Sequence, residues 1–119
     1  MNIETFRDYS LSLAGVEEGF PFGEDTLVLK VMGKMFALGS LTSPWFRVNL
    51  KCVPERAIQL REDYESVIPG FHMNKKHWNT LTFEFGELSD ELVIELTKHS
   101  YDLVASKLTK KLKEELKNL

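Results

Sequence analysis

Residues Asn74-Lys75-Lys76-His77-Trp78-Asn79 form a basic, aromatic and amide-bearing run that no acid interrupts. Ammonium groups neutralise phosphates, amides hydrogen-bond to phosphates or base edges, and an indole can stack on a base. Four further cations, Lys30, Lys34, Arg47 and Lys51, fall in strand-like runs, with Asn49 between the last two. Alternation along those runs puts Lys30, Arg47, Asn49 and Lys51 on the wet face of a sheet. The chemistry open to such a set is binding of a polyanion. The same residues also describe a solvated sheet face and an Asn-containing turn whose Trp78 anchors the core, because exposed lysine is commonplace.

Other chemistries find less support. Cys52 could pair in space with His72, His77 or His99, but no nucleophile motif surrounds it, and a buried, inert thiol is the plainer reading. Ser10, Ser12, Ser40, Ser43 and Ser66 sit in no G-x-S-x-G elbow. His72 and His77 are five apart, without the i,i+4 spacing or the cysteine pairs of a zinc site. Glu4 and Asp8 lie one helical turn apart, with Glu17, Glu18, Glu24 and Asp25 after them. Such oxygens could hold a divalent ion weakly, although a solvated acidic face explains them more simply. No phosphate-cradling glycine motif occurs, and Gly33-Lys34 joins two strands instead of opening a helix. No metal and no organic cofactor is expected.

Composition narrows the class. Hydrophobic residues make up 43% and charged residues 28% of 119 residues, the balance of one globular domain spanning 1–119. The lone cysteine can form no internal disulfide. No apolar run approaches the length of a membrane span, and the polar N-terminus does not resemble a signal peptide, so a cytoplasmic location is expected. The net charge of -3 hides an asymmetry: residues 107–119 carry five Lys and two Glu, and the rest of the chain is at -6. With a pI near 5.6, any nucleic-acid contact must use a local patch against an opposing field.

These groups need elements to position them. Asn2 can cap a helix near residues 2–14, with Ile3, Phe6, Tyr9 and Leu13 at helical spacing and Gly15 as a stop. Residues 19–23 read as a loop with aromatic anchors. TLVLKV at Thr26–Val31 and KMFAL at Lys34–Leu38 form a hairpin about Met32-Gly33. WFRVNLK at Trp45–Lys51 alternates, with Phe46, Val48 and Leu50 inward. Pro54 opens a helix to about Asp63. Ile68-Pro69-Gly70 is a turn signal, and Asn74-Lys75-Lys76 could be a hairpin turn. TLTFEF at Thr80–Phe85 is a strand with Leu81, Phe83 and Phe85 inward. Ser89 caps a helix with Leu92, Leu96, Leu103 and Val104 as its apolar stripe, and Thr109 caps a last short one. The sum is an α+β domain whose antiparallel sheet is covered on one face. Asn74 and Asn79 are expected to be structural, with Asn79→Ala costing about 1 kcal/mol, and Trp78 to be mostly buried.

Several blocks together resemble the MmcQ/YjbR family of small bacterial proteins. They are PFG at Pro21–Gly23, LKVMGKMFAL at Leu29–Leu38, LKCVPERAIQLRE at Leu50–Glu62, PGFHMNKKHWNT at Pro69–Thr80 and HSYDLV at His99–Val104. PGFHMNKKHWNT is the specific signal. Leu108-Thr109-Lys110-Lys111 departs from the usual Leu-Pro-Lys-Lys, which softens the helix break. The resemblance implies a CyaY-like fold, a twisted antiparallel sheet with helices on one side, and a double-wing DNA-binding protein in which hairpins flank a concavity. It implies no shared enzymatic activity. On that basis a non-enzymatic, monomeric, weak DNA binder is expected. Lys75, Lys76 and His77 would meet phosphates, Asn74 and Asn79 would shape the loop or donate hydrogen bonds, and Lys30, Lys34, Arg47 and Lys51 would extend the patch. The alternative is a protein-, ligand- or metal-binding module with a frataxin-like fold, in which Glu4 and Asp8 are the acidic analogues.

Overall fold

A computed structural model describes residues 1–42, 46–71 and 73–119, so the expectations placed on Ser43, Trp45 and His72 lie outside the described residues. In chain order the elements are α1 (Ile3–Leu11), β1 (Val16–Gly19), β2 (Thr26–Val31), β3 (Lys34–Ser40) and β4 (Arg47–Lys51). They continue as α2 (Pro54–Asp63), β5 (Val67–Pro69), β6 (Trp78–Thr82), α3 (Asp90–Ser106) and α4 (Lys110–Lys117). The described strands form one antiparallel sheet in the order β1-β2-β3-β4-β6-β5. This is the expected α+β class.

The helix starts follow from their caps. Asn2 Oδ1 accepts the Thr5 N–H at 2.8 Å, Ser89 Oγ accepts the Leu92 N–H at 3.1 Å, and Thr109 Oγ1 accepts the Leu112 N–H at 3.2 Å. Each satisfies a donor that the first helical turn leaves unpaired. α2 starts instead on Pro54, whose missing N–H costs nothing there.

Four boundaries differ from the sequence reading. α1 ends at Leu11 because a turn over Ser12–Gly15 follows, with Gly15 at φ +73°. The chain then forms strand β1 as far as Gly19, short and acidic enough that alternation is not visible in VEEG. Ile68 and Pro69 belong to strand β5, at the sheet edge where proline's missing donor is tolerated. β6 starts at Trp78 and ends at Thr82, so Phe85 turns outward and is 63% exposed. Phe83 is retained by stacking on Phe46, with ring centroids 5.3 Å apart.

All the helices serve one face. Leu29, Val31, Phe36, Val48, Leu50 and Leu81 from the strands pack with Phe6, Ala57, Leu60, Val93, Leu96 and Val104 from the helices. A bulge assists. Leu29 pairs Ala37 and Lys30 pairs Met35, which leaves Phe36 as the extra residue. Phe36 and Ala37 both enter the core as a result, and Phe36 meets the Tyr101 ring edge-on. Ser100 Oγ then ties α3 to two strands. It donates to Phe36 O at 2.6 Å and accepts the Lys51 N–H at 2.8 Å.

Candidate binding face

The face without helices follows from the register. Leu38 pairs Asn49, Asn49 pairs Thr80, Ser40 pairs Arg47 and Lys51 pairs Trp78. Alternation therefore puts Thr26, Val28, Leu38, Arg47, Asn49, Lys51, Trp78 and Thr80 on one side. A wholly wet face was expected, and the structure corrects this. Val28, Leu38 and Trp78 form a second buried cluster there, with Met35 and Met73 packed against it. Trp78 is 8% exposed, as expected, but it is buried on the open face and not against the helices.

The expected binding residues separate into groups. The β2–β3 turn at Met32-Gly33 and the described residues of the β5–β6 connection (70–71 and 73–77) lie at the same end of the sheet, because Lys51 at the end of β4 pairs Trp78 at the start of β6. That end carries Lys30, Lys34, Lys51, Lys75, Lys76 and His77. Met32 at φ +49° and Gly33 at φ +84° make the tight hairpin turn that leaves Lys34 exposed. Lys30 pairs Glu17 across β1–β2, so an acid shares its surroundings. Among the described residues the ion pairs are Met1–Asp90, Arg7–Glu18, Arg56–Glu95 and Lys98–Asp102. None engages a cation of that sheet end.

Residues 73–77 of this connection are held from inside. Asn74 Oδ1 accepts the Lys76 N–H at 2.9 Å, and Asn74 O accepts the His77 and Trp78 N–H groups at 3.3 and 3.0 Å. This is the local turn that asparagine favours. Lys75 Nζ reaches Gly70 O at 3.3 Å. Asn79 faces the interior at 2% exposure and presents nothing to a partner. Its Oδ1 accepts from Arg61 Nε at 2.6 Å, and its Nδ2 donates to Ala57 O at 3.3 Å. Arg61 Nη2 also donates to Lys75 O, so one guanidinium joins α2, β6 and the loop. Sequence reasoning passed over Arg61. Its one signal was a cation in the last turn of a helix, which is a usual place for one.

Arg47 stands apart from the other cations, across from Ser40 and Thr82 toward the opposite end of the sheet. It lines a cavity of about 460 Å3. Its Nε is shut off from solvent and has no hydrogen-bond partner among the described residues. Leaving a buried donor unpaired costs about 1–3 kcal/mol, more for a charged group.

Cys52 is buried, and burial pushes its thiol pKa up, away from the nucleophilic thiolate. His99 Nε2 lies 3.4 Å from the Val53 N–H as acceptor, which requires that nitrogen unprotonated. Burial, with the Arg56 guanidinium, holds His99 below its ordinary pKa of 6.5. The unfolded chain then takes up this proton first as pH falls. Stability from neutral His99 is present above about pH 6.5 and declines below it, until the folded-state pKa is passed. The urea midpoint is expected to fall between about pH 7.5 and 5.5, and His99→Gln to flatten that fall. Equal slopes in the two proteins would remove the assignment. Glu4 and Asp8 lie exposed on α1, and among the described residues no group of three or more His, Cys, Asp or Glu could hold a metal ion.

An antiparallel sheet with helices on one face, and cations and a cavity on the other, defines an α+β protein with one sheet face left open. Residues 11–103 match the family model for YjbR, and the chain belongs to that family. It is 37% identical over 108 residues to the uncharacterised protein YbdF of Escherichia coli O157:H7, across 91% of this chain and 88% of that one. It is 31% identical to the uncharacterised protein YjbR of Escherichia coli K12, across 85% of each. Protein DR2400 of Deinococcus radiodurans, whose crystal structure is described as a DUF419 domain, superposes with a TM-score of 0.89 at 40% identity. That match covers 97% of this chain and 87% of the other. A Pseudomonas syringae protein matches with a TM-score of 0.75 at 25% identity, over 87% of this chain and 99% of that one. No helix among the described residues is long and apolar enough to cross a membrane.

Proposed function

We propose that this protein is a cytoplasmic monomer that acts by binding and not by catalysis, and that the cationic end of the sheet takes DNA phosphates. The supporting observation is that two turns at one sheet end, carrying Lys34 on one and Lys75, Lys76 and His77 on the other, flank Lys51 without ion-pair partners among the described residues. Lys30 contributes less, since Glu17 faces it. Asn79 is buried and holds the loop from inside, whereas Asn74 is exposed, shapes the loop through its Oδ1 and can donate its amide hydrogens to DNA. Arg47 is left out of the interface.

A patch this small meets few phosphates, in a protein whose net charge of -3 repels DNA. Counterion release then gives a shallow log-log salt slope of roughly -2 to -4. Lys75→Ala with Lys76→Ala should weaken binding and flatten the slope by about two units, one per lost contact. Fluorescence anisotropy with duplex and single-stranded oligonucleotides, from low to physiological salt, checks this. A folded protein that binds neither at low salt would overturn the proposal and favour a protein-binding module.

A further inference from the structure

The cavity beside Arg47 lies on the open sheet face, and Met35, Phe71 and Met73 reach it from the cationic end. Its volume of about 460 Å3 falls within the range of about 300–1,000 Å3 usual for small-molecule sites. Phe22, Met35, Leu38, Phe71 and Met73 provide its apolar lining. Phe22 and Phe71 come from two different loops and are 67% and 61% exposed, an unusual outlay of aromatic surface. The two methionines can adjust to the shape of a guest.

The polar groups are few and convergent. Arg47 is the one charged residue lining the cavity among the described residues. Its buried Nε lacks a partner, and a native structure seldom leaves such a group unexplained. Thr80 Oγ1 donates to Asn49 Oδ1 and accepts the Phe71 N–H at 2.9 Å. With its oxygen committed in this way, Asn49 keeps its amide NH2 as a donor. The site therefore offers a guanidinium fork and an amide donor, with no acid to oppose them. A guanidinium matches a carboxylate through two parallel hydrogen bonds. A phosphate monoester brings a charge of about -1.5 to -2 and three strong acceptor oxygens, more than one cation can balance.

We propose that this cavity binds a small organic monocarboxylate with an aromatic or branched aliphatic tail. The carboxylate sits on Arg47 and Asn49, and the tail lies among Phe22, Leu38, Phe71 and the methionines.

The test is an NMR titration of the full 15N-labelled chain with benzoate, 4-phenylbutyrate and 4-methylpentanoate, each beside its neutral amide. At least one acid should shift the Leu38, Asn49 and Thr80 amides and bind about tenfold tighter than its amide, the scale of one charge-assisted contact. Arg47→Gln should weaken the acid by about tenfold and so erase that preference. If Arg47→Gln does not fold, Arg47→Lys serves, with the preference reduced by loss of the fork. Acids and amides of equal affinity, no shifts at millimolar ligand, or shifts confined to residues 74–77 would each overturn the proposal. Failure here leaves the DNA titration untouched, since that rests on Lys75 and Lys76.

Discussion

Gly70→Ala is expected to lower the stability of the protein by about 3 kcal/mol, from overpacking against backbone and a weakened hydrogen bond. A Cβ at residue 70 would stand 2.8 Å from Trp78 Cβ, 2.9 Å from Trp78 O and 3.1 Å from Met73 Cβ. The requirement is space and not dihedral freedom, since Gly70 does not occupy the positive-φ region. Trp78 O cannot retreat cheaply. It accepts the Gly70 N–H at 2.8 Å, and its residue is paired on the other side to Lys51. Any shift must either open the β5–β6 junction or lift Trp78 off Val28 and Leu38. Gly19→Ala is the matched control, because its Cβ would meet only Pro21 Cδ at 3.9 Å. Urea denaturation should show a large midpoint loss for Gly70→Ala and little change for Gly19→Ala. Equal midpoints would mean that the strands do not approach so closely.

Asn79→Ala should cost about 2–3 kcal/mol, more than the value of about 1 expected from turn chemistry alone. The increase comes from where the amide sits. It is 2% exposed, and its oxygen takes a hydrogen bond from the Arg61 guanidinium at 2.6 Å. Hydrogen bonds to charged groups are worth more than neutral ones, and the truncation strands Arg61 Nε without its acceptor. Ala57 O loses a donor as well. A double-mutant cycle with Arg61→Ala isolates the pair and should return an interaction energy of about 1–2 kcal/mol. A value near zero would show that Arg61 is held by the backbone oxygens alone. Loss of the pair should also loosen residues 74–77, where Arg61 Nη2 meets Lys75 O.

Local chemistry made much of the fold legible. The caps at Asn2, Ser89 and Thr109, the proline at the start of α2, the Met32-Gly33 turn and the alternation in β4 each act within a few residues. Sequence spacing can report such features. Where the features compete, local reading fails. Ile68-Pro69-Gly70 carries turn residues, yet Ile68 and Pro69 extend as an edge strand because β6 offers a ladder to pair with. TLTFEF alternates through Phe85, yet the strand stops at Thr82, so the last aromatic reaches solvent.

Patterning along the chain establishes the class of this protein, its helix starts, its hairpin and the cationic run that carries Lys75 and Lys76. Which charges come close together is set by strand pairing. Lys30, Lys34, Lys51 and the 74–77 loop meet at one sheet end because antiparallel pairing sets their register, and register is a long-range property. Arg47, with the same alternation as Lys51, is four residues away along β4 and so lies toward the opposite end, beside a cavity. That cavity is assembled from loops and strands distant in sequence, from Phe22 to Thr80. Its apolar wall reads in one dimension as stray aromatics and methionines, because only chain packing brings them around one buried guanidinium nitrogen.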